Sequence, residues 1–228
     1  MKFSLGIEDM EPRNWVAWVF EVPGCYARAS TRDEAISSVP YALDETLARL
    51  TQAKFLALGS FQPPFEFVIA EEFRAFQSSP DYLVNAFFEN DRSPLTVGDT
   101  EYAECLLGLN RRELLSVVAN LPAAIRDKPI PGEVQRNING ILRHIGTAEW
   151  WYWDRLGLAF PQGERPDDPF ELLAKVRDFT LTRLHGLVGD TQTTVCSGEQ
   201  WSPRKLMRRA IWHERVHTLQ IARYVKTM

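Results

Sequence analysis

The sequence predicts an α+β protein: a small N-terminal domain of β-β-β-α-β order, followed by an all-α four-helix bundle. Two observations carry this. Apolar residues recur at period two near the N-terminus (Phe3, Leu5, Ile7) and at helical spacing in the second half. Proline and glycine gather between the periodic stretches and mark their limits. The predicted organisation is an α+β domain over 1–76, a connection over 77–98 and a bundle over 99–228.

Each element has its own signal. Phe3 to Ile7 alternates as a half-buried strand, and a turn follows at Pro12-Arg13-Asn14. Trp15 to Val22, rich in aromatic and β-branched residues, is a second strand; Pro23-Gly24 ends it and Cys25 to Ala29 is a third. Thr31 followed by Glu34 is a capping box that opens a helix running to about Lys54, which Pro40 kinks or divides. The run from Phe65 to about Phe76 is a closing strand. After the Ser/Pro/Asn-rich connection, helices are expected over 99–126, 133–157, 168–188 and 202–226. Pro122 ends or bends the first, and Ser202-Pro203 gives the last a sharp start.

Composition narrows the function classes. Apolar residues make up 45% and charged residues 25% of the chain, an ordinary globular balance that excludes a disordered protein. No apolar run reaches the length of a membrane-spanning helix, and no secretory signal is legible. Three scattered cysteines give no disulfide framework and fit a cytoplasmic setting. Net charge is −4; residues up to Gly98 hold 8 basic and 14 acidic side chains, so the first half is acidic. That charge is the wrong sign for nucleic acid.

The chemistry gathers at histidine. Two of the four histidines stand in His213-Glu214-Arg215-Val216-His217, and residues four apart share one helix face, so both imidazoles can meet one ion. Ala210, His213, His217 and Gln220 form a stripe extended by Leu206 and Ile221, which turns the pair inward. His144, among Ile141, Leu142 and Ile145, is the natural third ligand on a second helix. Three imidazoles leave coordination positions free, as catalytic sites do and closed structural zinc sites do not. His185 is expected at a helix end, against the dipole.

The same window matches the His-Glu-x-x-His pattern of zinc peptidases, with Glu214 as candidate catalytic base. Against a peptidase stand the absence of a downstream third ligand after His217 and the all-helical context predicted for this half. Trp151, seven residues after His144, falls nearest the histidine face and, with Gln220, is a candidate pocket residue; Trp150 and Trp153 turn to neighbouring elements. Arg204, Lys205, Arg208 and Arg209 crowd the start of the last helix, where the dipole disfavours cations. They are read as a solvated face, as partners of the acidic N-terminal domain, or as an anion site.

Asn139 to Leu156 (NGILRHIGTAEWWYWDRL) and Trp201 to Tyr224 (WSPRKLMRRAIWHERVHTLQIARY) resemble the DinB-like (damage-inducible) superfamily of four-helix bundles. The resemblance implies that His144, His213 and His217 bind a divalent metal, commonly zinc or nickel. It also implies a frequent homodimer and, in some relatives, thiol-dependent transfer or isomerisation. The first 76 residues resemble the N-terminal domain of HicB-type antitoxins through Val22-Pro23-Gly24-Cys25, Ser30-Thr31, Asp33-Glu34-Ala35-Ile36 and Ala42-Leu43. No DNA-reading module follows that stretch.

The leading expectation is a cytoplasmic metal-dependent transferase or hydrolase acting on a small-molecule thiol or electrophile. The alternative is a non-catalytic interaction protein with a structural or vestigial metal site.

Overall fold

The computed structural model describes residues 1–11, 13–56, 61–134 and 137–227; Pro12 of the predicted turn and positions 135–136 of the second predicted helix lie outside the described residues. The protein is mixed α+β, with an N-terminal sheet and C-terminal helices. It divides into two compact units, Met1–Pro94 with Thr191–Arg208, and Leu95–Asp190 with Arg209–Met228. This division differs from the sequence-based boundaries. Residues 77–94, read as a connection, pack with the N-terminal domain, and the chain returns to that domain at 191–208.

In the first unit β1 (Lys2–Glu11) pairs antiparallel with β2 (Asn14–Val19), and β3 (Tyr26–Ala29) extends the sheet beyond β2. Thr31 caps α1 (Arg32–Ser37) by accepting from the Glu34 amide. Pro40 does divide the helix: α2 (Val39–Gln52) starts afresh with proline in its first turn, where no amide bond is lost. These two helices supply the crossover that a parallel pair requires, and β4 (Glu66–Arg74) lies parallel to β1 in a sheet of order β3-β2-β1-β4.

Phe3, Leu5 and Ile7 are fully buried, as alternation predicts, but Gly6 and Glu8 on the opposite face are buried too. At Gly6 a Cβ would stand 2.5 Å from the Phe20 ring, so only glycine fits. Glu8 accepts from Trp18 Nε1 at 2.9 Å and from the Ala86 amide at 2.7 Å. A short ribbon, β5 (Phe76–Ser79) and β6 (Tyr82–Val84), precedes the segment that brings Ala86, Phe88 and Asp91 into the interior.

The second unit begins with α3 (Val97–Val118), opened by a reciprocal Thr96–Asp99 capping box. It ends ahead of Pro122, which precedes the short α4 (Ala123–Arg126). α5 (Ile138–Arg155) is capped by Asn137, and α6 (Pro169–Leu184) by Asp168 with proline at its first position. On α5 a Cβ at Gly146 would stand 2.9 Å from Leu172, so the glycine lets α5 and α6 approach closely. β7 (Thr194–Cys196) and β8 (Glu199–Trp201) follow as a separate two-stranded ribbon of the first unit, a correction to the all-helical reading of the second half.

The last helix, α7 (Pro203–Thr227), belongs to the first unit as far as Arg208 and to the second from Arg209 on. Ser202 Oγ accepts the Lys205 amide at 3.2 Å, the expected cap. The cations of its first turns are not a solvated face. Lys205 is fully buried and donates to Glu199 Oε1 at 2.6 Å and to the carbonyls of Asn85 and Gln200. Arg208 grips both oxygens of Asp91 at 3.1 and 2.6 Å, and Arg204 donates to the Ser93 and Pro94 carbonyls. Burial disfavours the Arg208 charge, yet Asp91 holds its pKa above the ordinary value. Three of the four cations are thus held within the first unit, Lys205 and Arg208 by the carboxylates of Glu199 and Asp91 and Arg204 by backbone carbonyls.

In the second unit Leu114 and Val118 of α3, Ile138, Ile141, Leu142 and Ile145 of α5, Leu173 of α6 and Ile221 of α7 form one apolar cluster. Four helices therefore share a core. Among the described residues no helix is long and apolar enough to cross a membrane.

Candidate metal centre

Two helices of the second unit bring three histidines together. His144 sits on α5 between the buried Leu142 and Ile145, and His213 and His217 sit one turn apart on α7 between Ala210 and Ile221. One ligand nitrogen from each ring lies within 4.8 Å of the others. The Nε2 atoms of His144 and His213 are 3.0 Å apart. Two nitrogens on a tetrahedral ion, each at about 2.0–2.1 Å, lie roughly 3.3 Å apart. The spacing fits a shared small cation, so the donor set is chemically and dimensionally suited to a metal.

Charge state agrees. Burial, and then the neighbouring His217, push His144 down to about 4. Burial holds His213 well below its ordinary value, with His217, His144 and Arg209 acting in the same direction. At neutral pH both rings are uncharged, and metal ligation needs the free lone pair of a neutral imidazole.

The network behind His217 fixes which nitrogen carries the proton. His217 Nδ1 lies 2.5 Å from Gln220 Oε1, and Gln220 Nε2 donates to Glu133 Oε2 at 2.8 Å; Tyr224 Oη donates to the other oxygen of Glu133. A carboxylate only accepts, so the Gln220 amide must turn its NH2 towards Glu133 and its oxygen towards His217. That oxygen requires a proton on Nδ1, which leaves Nε2 as the lone-pair atom. Gln220 thus acts on the ligand itself, and Glu133 sets the orientation of Gln220. Glu133 precedes α5 and carries no periodic signal, so sequence reasoning had nothing by which to find it.

Aromatic rings surround the site. Tyr152 and Trp212 each lie 6.0 Å, centroid to centroid, from the His213 ring. Tyr152 was missed, although its position eight residues after His144 is two turns along the same face. Trp151 is half-buried, meets the Tyr152 ring at 5.7 Å and carries Arg155 over its face at 4.5 Å. Trp150 donates to the Phe160 carbonyl and Trp153 to Thr180 Oγ1, both turned to neighbouring elements as expected. His185, at the end of α6, pairs with Thr100 Oγ1 and Glu104.

Glu214, the candidate base, sits among guanidinium groups. It is almost fully buried, with Oε1 accepting from Arg111 Nε at 2.6 Å and Oε2 from Arg177 Nη2 at 2.5 Å. Arg177 also grips both oxygens of Glu149 at 2.9 and 3.0 Å, and Arg111 reaches Glu149 at 3.3 Å. Burial opposes ionisation of Glu149, yet Arg177 and Arg111 hold its pKa below the ordinary carboxylate value. One residue along a helix is about 100° round, so the carboxylate beside His213 faces a different interior. Nothing in the spacing of Arg111, Glu149 and Arg177 marks them in the sequence as partners.

No protein-family model, curated protein or solved structure matches the chain.

Proposed function

We propose that the second unit is a DinB-like four-helix bundle built on α3, α5, α6 and α7, and that His144, His213 and His217 hold a divalent metal, zinc or nickel. The observation that carries this reading is the convergence of three imidazole nitrogens from two helices, all within 4.8 Å. Neutral histidines leave a bound ion its full positive charge, which lowers the pKa of a water or thiol that joins it. The protein is accordingly a metal-dependent transferase or hydrolase whose substrate is a small thiol or electrophile, and the first unit is a HicB-like accessory domain. Tyr152, Trp212 and Trp151 contribute the apolar walls. The zinc-peptidase reading lacks its base, because both oxygens of Glu214 are taken by guanidinium groups.

Elemental analysis of purified protein beside a His213→Ala, His217→Ala double variant tests the proposal. Near-stoichiometric zinc or nickel is expected in the parent and little in the variant; equal content in both overturns the site. Turnover of a thiol with an electrophilic acceptor by the metal-loaded protein supports the enzyme. A metal that stabilises folding yet leaves every thiol, ester and peptide substrate untouched supports the non-catalytic reading instead.

A further inference from the structure

Arg209 differs from the other buried cations. Arg111 and Arg177 face Glu149 and Glu214, Lys205 faces Glu199, and Arg208 faces Asp91. Arg209 is only 7% exposed, yet its Nε and Nη1 have no hydrogen-bond partner, and it forms no ion pair among the described residues. Its guanidinium stacks on the Trp212 ring, 4.4 Å from the ring centroid. A charge taken out of water without a counter-ion is costly, and the native fold nevertheless keeps this one.

Its position gives the reason. Arg209, His213 and His217 are spaced four residues apart on α7, so they stand on one face, with Arg209 a turn before the first ligand. The Trp212 ring that supports the guanidinium also lies 6.0 Å from His213, so Arg209, Trp212 and the metal centre are contiguous. The Arg209 charge is among the influences that depress His213, in keeping with that proximity. A stacked guanidinium keeps its edge free, and that edge matches the two oxygens of a carboxylate or phosphate.

We infer that Arg209 is the anchor for an oxyanion group, carboxylate or phosphate, of a small substrate whose other end reaches the histidine centre. The inference deepens the metal-centre reading, and it identifies the substrate class as a small acid spanning about one helical turn.

Isothermal titration with inorganic phosphate and with acetate, on metal-loaded and metal-stripped protein, tests this together with Arg209→Met and Arg209→Lys. The parent should bind one or both anions in either metal state. Arg209→Met should weaken binding at least tenfold with unchanged metal content, and Arg209→Lys should fall between. A preference for phosphate assigns a phosphorylated substrate, and a preference for acetate a carboxylic acid. Absence of binding to both anions overturns the inference. So does binding that needs the metal and survives Arg209→Met, because the anion then sits on the ion. If the parent carries no metal while binding still depends on Arg209, the metal reading fails and the anion site stands. Circular dichroism of each variant excludes a folding defect, and Arg209→Lys keeps the test decisive if Arg209→Met does not fold.

Discussion

Two faces of the same helix, one residue apart, treat buried polar groups in opposite ways. On the Glu214 face of α7, two carboxylates meet two guanidinium groups, and the charges cancel within the set. On the His213 face, burial strips the imidazoles of charge, their nitrogens converge, and Arg209 stands beside them without a counter-ion among the described residues. A buried set that is complete among its own side chains is architecture; one completed only by something else is a site. The difference also explains why a peptidase-like spelling is misleading, since Glu214 and His213 are adjacent in sequence yet belong to different sets.

The largest effect expected from breaking this contrast is at Glu214. Glu214→Ala leaves Arg111 and Arg177 short of a counter-charge in the interior and should cost about 3–5 kcal/mol in urea denaturation of the metal-stripped protein. His144→Ala should cost far less under the same conditions. Adding zinc narrows the gap. At a hundredfold excess over Kd, the ion should stabilise the parent by about 2.7 kcal/mol and leave the His213→Ala variant unmoved, read as the shift in unfolding midpoint.

Acid gives a third separation. His144 has a folded pKa of about 4, below the ordinary 6.5, so the unfolded chain takes up the proton first as pH falls. Its contribution is complete above 6.5 and is lost progressively from there towards 4, at up to about 1.4 kcal/mol per pH unit. His213 acts in the same direction. Thermal unfolding of metal-stripped protein should show this slope between pH 6.5 and 4, and His144→Ala should flatten it. The smallest effect is at Gln220: Gln220→Leu frees the tautomer of His217 and should weaken zinc about tenfold in a chelator competition, with little change in stability without metal. Glu133→Gln should reproduce part of that loss, because an amide can present either a donor or an acceptor to Gln220.

How much of this was legible in the sequence follows from which forces are local. The strands, the capping box at Thr31, the break at Pro40 and the helix starts at Ser202 and Asp168 are set by neighbours along the chain, and they read correctly. The histidine pair also read, because spacing on a helix is a local property; His144 was within reach because it sits on an apolar helix face. Partners far apart in sequence did not read. Arg111–Glu214 and Gln220–Glu133 are separated by 103 and 87 positions, and charged residues in a helix look alike whether they end in solvent or in an ion pair. The cations at the start of α7 show the same limit: the fully buried Lys205 and the exposed lysines have the same local signature. The β7–β8 ribbon was missed because its strands have three residues each, too few for a period to show.

The return of residues 191–208 to the first unit dictates an order of events at the ribosome. Asp91 and Arg208 are 117 positions apart, and the whole of Leu95–Asp190 is translated between them. Domains ordinarily close one after another as they emerge, N-terminal first. Here the N-terminal sheet emerges early with Glu8 and Asp91 in place, but the Asp91 carboxylate waits for a guanidinium that arrives only after the intervening helices. The first unit to appear is the one that cannot finish alone, and its completion is timed by synthesis of the helix that also carries two of the histidines.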